Sequence, residues 1–465
     1  MTISRRDILF GPAALGVGLA LRPLTAAPLP READIVVIGA GAAGLAAARR
    51  ISAANRKVVV VEANDRVGGR CETDSASFAV PFDRGARWLY AQDSNPVAAL
   101  ARPAAVDLYA APQSQKIRIG RRNARSGEVE DFLTSSVRAN RAIADAGRGR
   151  ADMPAADALP KDLDPWTGTL AFMLGPAATS KDLKEVSAFD LARSEPRDAG
   201  VFCRQGLGTF MTKLAENVPV ALSTPVTRVN WGGRGLEIET PAGRLNAQAV
   251  IVTASTAVLA AGNIKFVPDL PKRQLDAVSK LRLGSYDRIA LELTGNPLGL
   301  ARDDVVIEQG NDRRTALLRA NIAGSTLCAV DVAGSFGNEL SVNGEQAMIA
   351  FAVEWLTRLY GSDVKSAVGR SRVTRWNAAP TIMGAMSVAS VGGQTSRKIL
   401  MEPLNAVFFA GEAVHETLWG TVAGAWESGE RAAEAALRKI GALKPIAEEP
   451  QPRPRRRTRS SAPPR

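Results

Sequence analysis

Three glycines, Gly39, Gly41 and Gly44, stand at GxGxxG spacing between an apolar run, Ile35 to Ile38, and an Ala-rich, helix-favouring stretch. Residues of these types can cradle a phosphate. The first glycine permits a tight bend, the second lets backbone approach a pyrophosphate, and the third lets helix and strand pack closely. The helix N-terminus adds free N–H groups and the positive end of its dipole. A second apolar run, "KVVVVE", ends in Glu62, close to the spacing of a carboxylate that accepts from ribose hydroxyls. Small-residue turns are common in α/β proteins, so the glycines alone say little. Strand, turn, helix, strand and acid together predict a dinucleotide site at Gly39, Gly41, Ala43, Gly44 and Glu62. By spacing alone, the dinucleotide is NAD or FAD.

Just after Glu62 comes "ANDRVGGRCET", where Gly68 and Gly69 would let backbone close on a large flat ligand. Arg66 and Arg70 add cations near a pyrophosphate. This segment resembles the signature of FAD-dependent amine oxidases, the monoamine and polyamine oxidase superfamily. The resemblance continues in order over most of residues 33 to 440. "FDRGARWLY" is similar to the family segment passing the flavin ring, which implies contacts from Gly85, Ala86, Arg87 and Trp88. "STPVTRV" resembles the strand whose backbone, here Val226, meets the adenine. "TRWNAAPTIMGAMSVASVGG" resembles the segment bordering flavin and substrate. "VFFAGEAVHETLWGTVAGAWESGERAA" resembles the last flavin-binding motif. It implies Gly411 and Glu412 at the ribityl-phosphate region and Thr421 and Val422 at the isoalloxazine end. Glu412 also suits a helix N-terminus in its own right. Trp376 and Trp419 read as core by spacing alone; the resemblance implies that both lie near the substrate cavity.

The resemblance implies a reaction: hydride from an amine's α-carbon to flavin N5, hydrolysis of the imine, and reoxidation by O2 or another electron acceptor. No protein acid or base is required, and His415 is the single histidine, so a Ser-His-Asp mechanism or a histidine metal site has almost no material. Two rival classes share part of the pattern: a flavin desaturase acting on an apolar substrate, and a non-catalytic FAD-binding protein. Departures from the family refine the expectation. Relatives with a covalent flavin carry a cysteine where this chain has Ala385, so non-covalent FAD is expected. The paired tyrosines that enclose the amine in many relatives correspond to Met386 and Thr421, which predicts a wider cavity lined by Met383 and Met386 for bulky apolar groups. In "GSYDRIALEL", alternation sets Ile289, Leu291 and Leu293 on one strand face and Arg288, Ala290 and Glu292 on the other. Many relatives have a lysine at the position of Arg288, holding a water that assists reaction with oxygen. Arginine there implies poor use of oxygen; otherwise Arg288 is structural, paired with Asp287 or another acid.

The elements that must position these residues are those of a mixed α/β chain. A Rossmann-like FAD-binding domain (31–95, 196–268 and 395–443) is interrupted by a substrate domain (96–195 and 269–394) with a mixed sheet and helices. At 465 residues with 46% hydrophobic content, the chain can bury both cores. Its net charge of +12 is concentrated in part in the final stretch from Lys444, whose one Lys and six Arg against two Glu contribute +5. That stretch is Pro-, Ser- and Arg-rich and is expected to be disordered. No basic-aromatic interleaving appears elsewhere, which excludes nucleic-acid recognition as the main function. At the other end, Arg5 and Arg6 precede an apolar segment from about Ile8 to Leu21. Residues 1–27 resemble a twin-arginine signal, read by the machinery that exports folded proteins, and imply a periplasmic enzyme. An uncleaved signal would act as a membrane anchor. Cys71, Cys203 and Cys328 form neither a disulfide framework nor a metal pair by spacing.

Overall fold

Four consecutive valines, Val58–Val61, are all buried and lie beside the strand Glu32–Ile38. A strand covered on both faces needs apolar residues at every position, which is why neither run alternates. In this computed structural model, residues 29–112, 115–197, 200–233 and 235–444 are described. The twin-arginine segment and the basic tail beyond Lys444 lie outside them.

Among the described residues, eight strands form the first sheet. Its order is Lys265–Val267, Arg228–Asn230, Leu236–Thr240, Gly243–Val252, Glu32–Ile38, Val58–Val61 and Val220–Ala221, with Val407–Phe409 also paired to Gly243–Val252. The pairings around Glu32–Ile38 are parallel, as a Rossmann-like unit requires. The helix Ala42–Ala53 follows the glycine turn and packs against the late helix Val422–Lys439. Small residues set that distance. A Cβ on Gly44 would stand 1.8 Å from the Gly39 carbonyl oxygen, and one on Gly429 would stand 2.1 Å from the Ala43 carbonyl oxygen.

The second sheet has seven strands in the order Val368–Val373, Tyr286–Leu293, Leu327–Ala333, Leu317–Arg319, Val305–Glu308, Gln115–Ile119 and Arg122–Asn123. It is antiparallel except where Gln115–Ile119 runs parallel to Val305–Glu308. Ile289, Leu291 and Leu293 join one core with Phe351, Trp355 and Leu359 of the helix Glu345–Tyr360. Ala290 packs on the opposite side with Phe78 and Phe82. The alternation of this strand therefore presents Arg288 away from the apolar core.

The strands divide between the sheets by segment: 32–61, 220–267 and 407–409 against 115–123, 286–333 and 368–373. The boundaries of packing differ from the sequence reading. The helix Lys272–Lys280, assigned to the substrate domain, contributes Ala277 and Val278 to the first core. Likewise Val97, Ala98 and Ala101 cluster with Leu45 and Trp426 rather than with the second sheet. Periodicity reveals an apolar helix face but not the partner that covers it.

Candidate active site

A cavity of about 690 Å³ runs from the glycine turn of the first sheet to the central strands of the second. At its first end the turn is open. A Cβ on Gly41 would meet nothing nearer than the Gly69 Cα at 3.9 Å, and no side chain caps the helix that starts at Ala42. The orphan N–H groups of that first turn thus remain free for an anion. Gly69 itself needs φ +58° and faces Gly41, with 3.3 Å from its would-be Cβ to the Gly41 Cα. This is a cradle that side chains would fill. Gly39, Ala43, Gly68 and Val226 also line the cavity. Gly44 does not; it serves the packing of helix on strand.

Glu62 is buried at the tip of its strand, where it accepts from the Ala40 N–H at 2.7 Å and the Asn64 amide at 2.7 Å. It ties two strand ends together while lining the cavity. Arg70 donates to Glu412 at 2.8 Å and to the Ala385 carbonyl. Burial alone would raise the Glu412 pKa, but Arg70 and the Ser387 hydroxyl, at 2.6 Å, hold it below the ordinary carboxylate range. Glu412 also accepts from the Gly420 N–H at 2.9 Å. Behind it, the buried pair Arg397–Asp190 at 2.7 Å supports Ser387 and the Ala413 carbonyl. The helix cap is supplied by Thr421, not Glu412: its hydroxyl accepts from the Gly424 N–H at 3.0 Å.

At the second end, Trp376 lines the cavity with its ring against Gly85. Its backbone N–H donates at 2.9 Å to Asp287, a fully buried acid whose pKa burial pushes up despite that bond. Arg288 sits directly opposite Asp331 in the strand register, and their side chains pair at 3.3 Å. Its guanidinium also donates to the Asp83 carbonyl at 2.6 Å and to the Gly85 carbonyl. Tyr286, two residues earlier on the same strand face, donates to Asp331 at 2.8 Å. Gly85, Ala86, Arg87 and Trp88 line this end, together with Tyr90, Arg197 and Arg319.

The sequence-predicted residues are thus mostly brought together, with three exceptions besides Gly44. Arg66 does not line the cavity; it donates to the Gly69 carbonyl at 2.9 Å and pairs with Glu72 at 2.7 Å. Trp419 is fully buried with Ala155, Leu183 and Val388, and the guanidiniums of Arg197 and Arg397 each stand 4.9 Å from its ring. Core packing, the reading its spacing favoured, governs that indole. Met383 turns away toward the first core, leaving Met386 at the wall. The expected Met-lined apolar cavity is instead ringed by arginines and tyrosines at its second end. The acid that pairs with Arg288 is Asp331, within the partners the sequence left open. Sequence reading missed Tyr90, Arg197, Tyr286, Arg319 and Asp331. Only Tyr286 carried a signal, since its two-residue offset from Arg288 puts both on one strand face.

Comparisons with known proteins agree with this geometry. Residues 164–437 match the family model described as flavin containing amine oxidoreductase, and residues 37–103 match an NAD(P)-binding Rossmann-like domain. The chain is 27% identical over 442 residues to the Arabidopsis thaliana protein named Probable polyamine oxidase 4, covering 88% of each. It is 26% identical to Lysine-specific histone demethylase 1 homolog 3 of Oryza sativa subsp. japonica, covering 91% of this chain but 56% of that longer protein. Among solved structures, putrescine oxidase bound to putrescine superposes with a TM-score of 0.75 at 17% identity, covering 88% of this chain and 99% of that one. Cyclohexylamine oxidase from Brevibacterium oxydans IH-35A gives 0.73 at 19% identity with the same coverage. With the glycine cradle, Glu62, the Arg70–Glu412 pair and the family model in agreement, this chain belongs to the flavin-containing amine oxidoreductases, and FAD is its cofactor.

Proposed function

We propose that the protein oxidises the C–N bond of an amine with non-covalently bound FAD in the periplasm. The observation that supports this reading is one continuous cavity bounded both by the open Gly41–Gly69 cradle and by Trp376 and Arg288. When bound, FAD supplies the two-electron acceptor for hydride from the amine's α-carbon, after which water hydrolyses the iminium product. The chain's own residues bind, orient and exclude water. Gly39, Gly41, Ala43 and the first turn of the Ala42 helix would hold the pyrophosphate, and Glu62 would accept from a ribose. Val226 would hold the adenine end, and Arg70, Gly411, Glu412, Thr421 and Val422 would hold the opposite flank. Trp376, fixed by Asp287 and by Gly85, walls the reacting end against solvent. Arg66 acts at one remove by holding the Gly69 carbonyl, and Trp419 by seating Arg197 and Arg397. Cys71 lines the cavity, but burial pushes its thiol up to about 12, so it is no ready nucleophile for a covalent attachment.

Arg288 is held by Asp331 and two backbone carbonyls, and a planar guanidinium so fixed is a poor substitute for a compact, flexible ammonium that positions water. Reaction with oxygen is accordingly slow, and another electron acceptor serves better. Anaerobic bleaching of the flavin against a panel of amines tests the function; no bleaching by any amine sinks it. Stopped-flow reoxidation of the wild type and Arg288→Lys tests the acceptor preference, and rapid wild-type oxidation by air, unchanged in the variant, would dispose of it. Export by the twin-arginine route rests on Arg5 and Arg6; it fails if replacing both by lysine leaves periplasmic activity unchanged.

A further inference from the structure

The second end of the cavity holds more positive charge than it can balance. Arg87, Arg288 and Arg319 are 4–5% exposed, and all three line the cavity. Arg288 has Asp331. Arg87 and Arg319 have no side-chain hydrogen bond or ion pair among the described residues. Their shared neighbour is the Phe202 ring, 5.2 Å from the Arg87 guanidinium carbon and 4.7 Å from that of Arg319. The Nε of each, and one terminal nitrogen of Arg319, are buried without a partner.

The acids nearby are already engaged. Asp331 takes Tyr286 and Arg288. Asp83 accepts from Thr73 at 2.6 Å and from the Leu207 N–H at 2.8 Å, and burial pushes its pKa up, toward the neutral acid. Burial, with repulsion from Arg288, brings the Arg87 pKa down to about 10 against the weaker upward pull of Asp331 and Asp83. Two buried guanidiniums beside one aromatic ring, lining an open cavity with no carboxylate in ion-pair contact among the described residues, form half of a charge-assisted hydrogen-bonded pair. Their forks match a planar oxyanion. The same field repels a dication such as a polyamine, whose charges would have to enter a low-dielectric space beside like charge.

We infer that Arg87 and Arg319 form an oxyanion subsite, and that the amine oxidised here carries a carboxylate. The inference rests on the amine-oxidising reading, which it narrows to amino-acid-like substrates. Arg288 and Asp331 hold the strand that presents Arg319, since Leu317–Arg319 pairs with Leu327–Ala333 and Asp331 lies opposite Leu317. Arg319 and Arg87 are therefore the specificity-determining pair, and Arg288 is not.

The test compares matched amines with and without the carboxylate, phenylalanine against phenethylamine and ornithine against putrescine, by anaerobic flavin reduction in the holoenzyme. A second readout needs no turnover: titration with benzoate, followed by the flavin absorbance shift and by calorimetry. The carboxylated member of each pair should reduce the flavin faster at low concentration. Arg319→Met should weaken benzoate binding roughly 10- to 100-fold and lower the preference for the carboxylated member by a similar factor, chiefly through KM. Arg319→Lys should recover part of both, and Arg87→Gln gives an independent variant if Arg319→Met does not fold. Benzoate binding with no amine oxidised would leave the subsite standing and overturn the amine-oxidising reading. Fast reduction by putrescine or phenethylamine, with no preference for their carboxylated partners and no benzoate binding, would overturn the subsite alone.

Discussion

The two ends of the cavity handle charge in opposite ways. At the glycine turn, Arg70 has Glu412, while Arg66 and Arg84 share Glu72. Farther back, Arg397 and Asp190 form a pair only 1% exposed on either side. At the second end, Arg87, Arg197, Arg288 and Arg319 line the cavity, with Asp331 as the engaged acid. The first end is electrostatically complete as protein and leaves backbone N–H groups for its ligand. The second end is complete only when something negative enters. A site that binds the same cofactor in every turnover can be finished in advance, whereas one that must choose its ligand keeps unmatched groups with which to choose.

Two neighbouring glycines give the sharpest way to separate fold from ligand at the first end. Gly41→Val should leave the fold intact, because its Cβ enters open space and its φ of −74° suits any residue. It should nevertheless abolish flavin binding, which absorbance of the purified protein would reveal. Gly44→Val should instead cost about 3 kcal/mol or more through collision with the Gly39 carbonyl oxygen, lowering thermal stability with or without FAD. If the two variants behaved alike, the cradle would be misplaced.

Removing one member of the buried pair behind Glu412 comes next. Arg397→Met strands Asp190 without its cation and should cost about 3–5 kcal/mol in chemical denaturation. A loss near zero would mean that the first end does not depend on its pairing.

Acid and base should affect the two ends with opposite sign. Glu412 is held below the ordinary carboxylate range, so its contribution is full above that range and is lost as pH falls through its own depressed pKa. Asp287 is raised by burial, so its contribution is full below the ordinary carboxylate pKa and is lost as pH rises through the raised value. Melting temperature against pH should therefore show a weaker acid limb in Glu412→Gln. Asp287→Asn should remove the decline on the alkaline side of the carboxylate range. The smallest effect is expected from Thr421→Ala, which deletes a helix cap and should cost about 1 kcal/mol.

The first end was far more legible in the sequence than the second. Gly39, Gly41, Glu62 and Arg70 lie within about 30 residues, and local spacing encodes a local cradle. Glu412 and Val226, distant in sequence, were found through family resemblance, not spacing. The charge imbalance was invisible because it is assembled from Arg87, Arg319 and the ring of Phe202, which no periodicity connects. Trp419 failed for a related reason: an aromatic beside a ligand and an aromatic in a core have the same local pattern. Arg288 fell between these cases. Alternation set its face correctly, but its partner came from a neighbouring strand whose register only the fold reveals.

The placement of Val407–Phe409 and of the helix Val422–Lys439 has a consequence for biosynthesis. The strand Glu32–Ile38 leaves the ribosome early, yet its sheet is finished by residues 407–409, and its first helix is covered by 422–439. Gly411, Glu412, Thr421 and Val422 form part of the wall. A nascent chain that has not yet emitted residue 422 therefore has no closed crib in which to retain FAD. Cofactor capture must follow nearly complete translation, and any transport step that threads the chain unfolded would undo it.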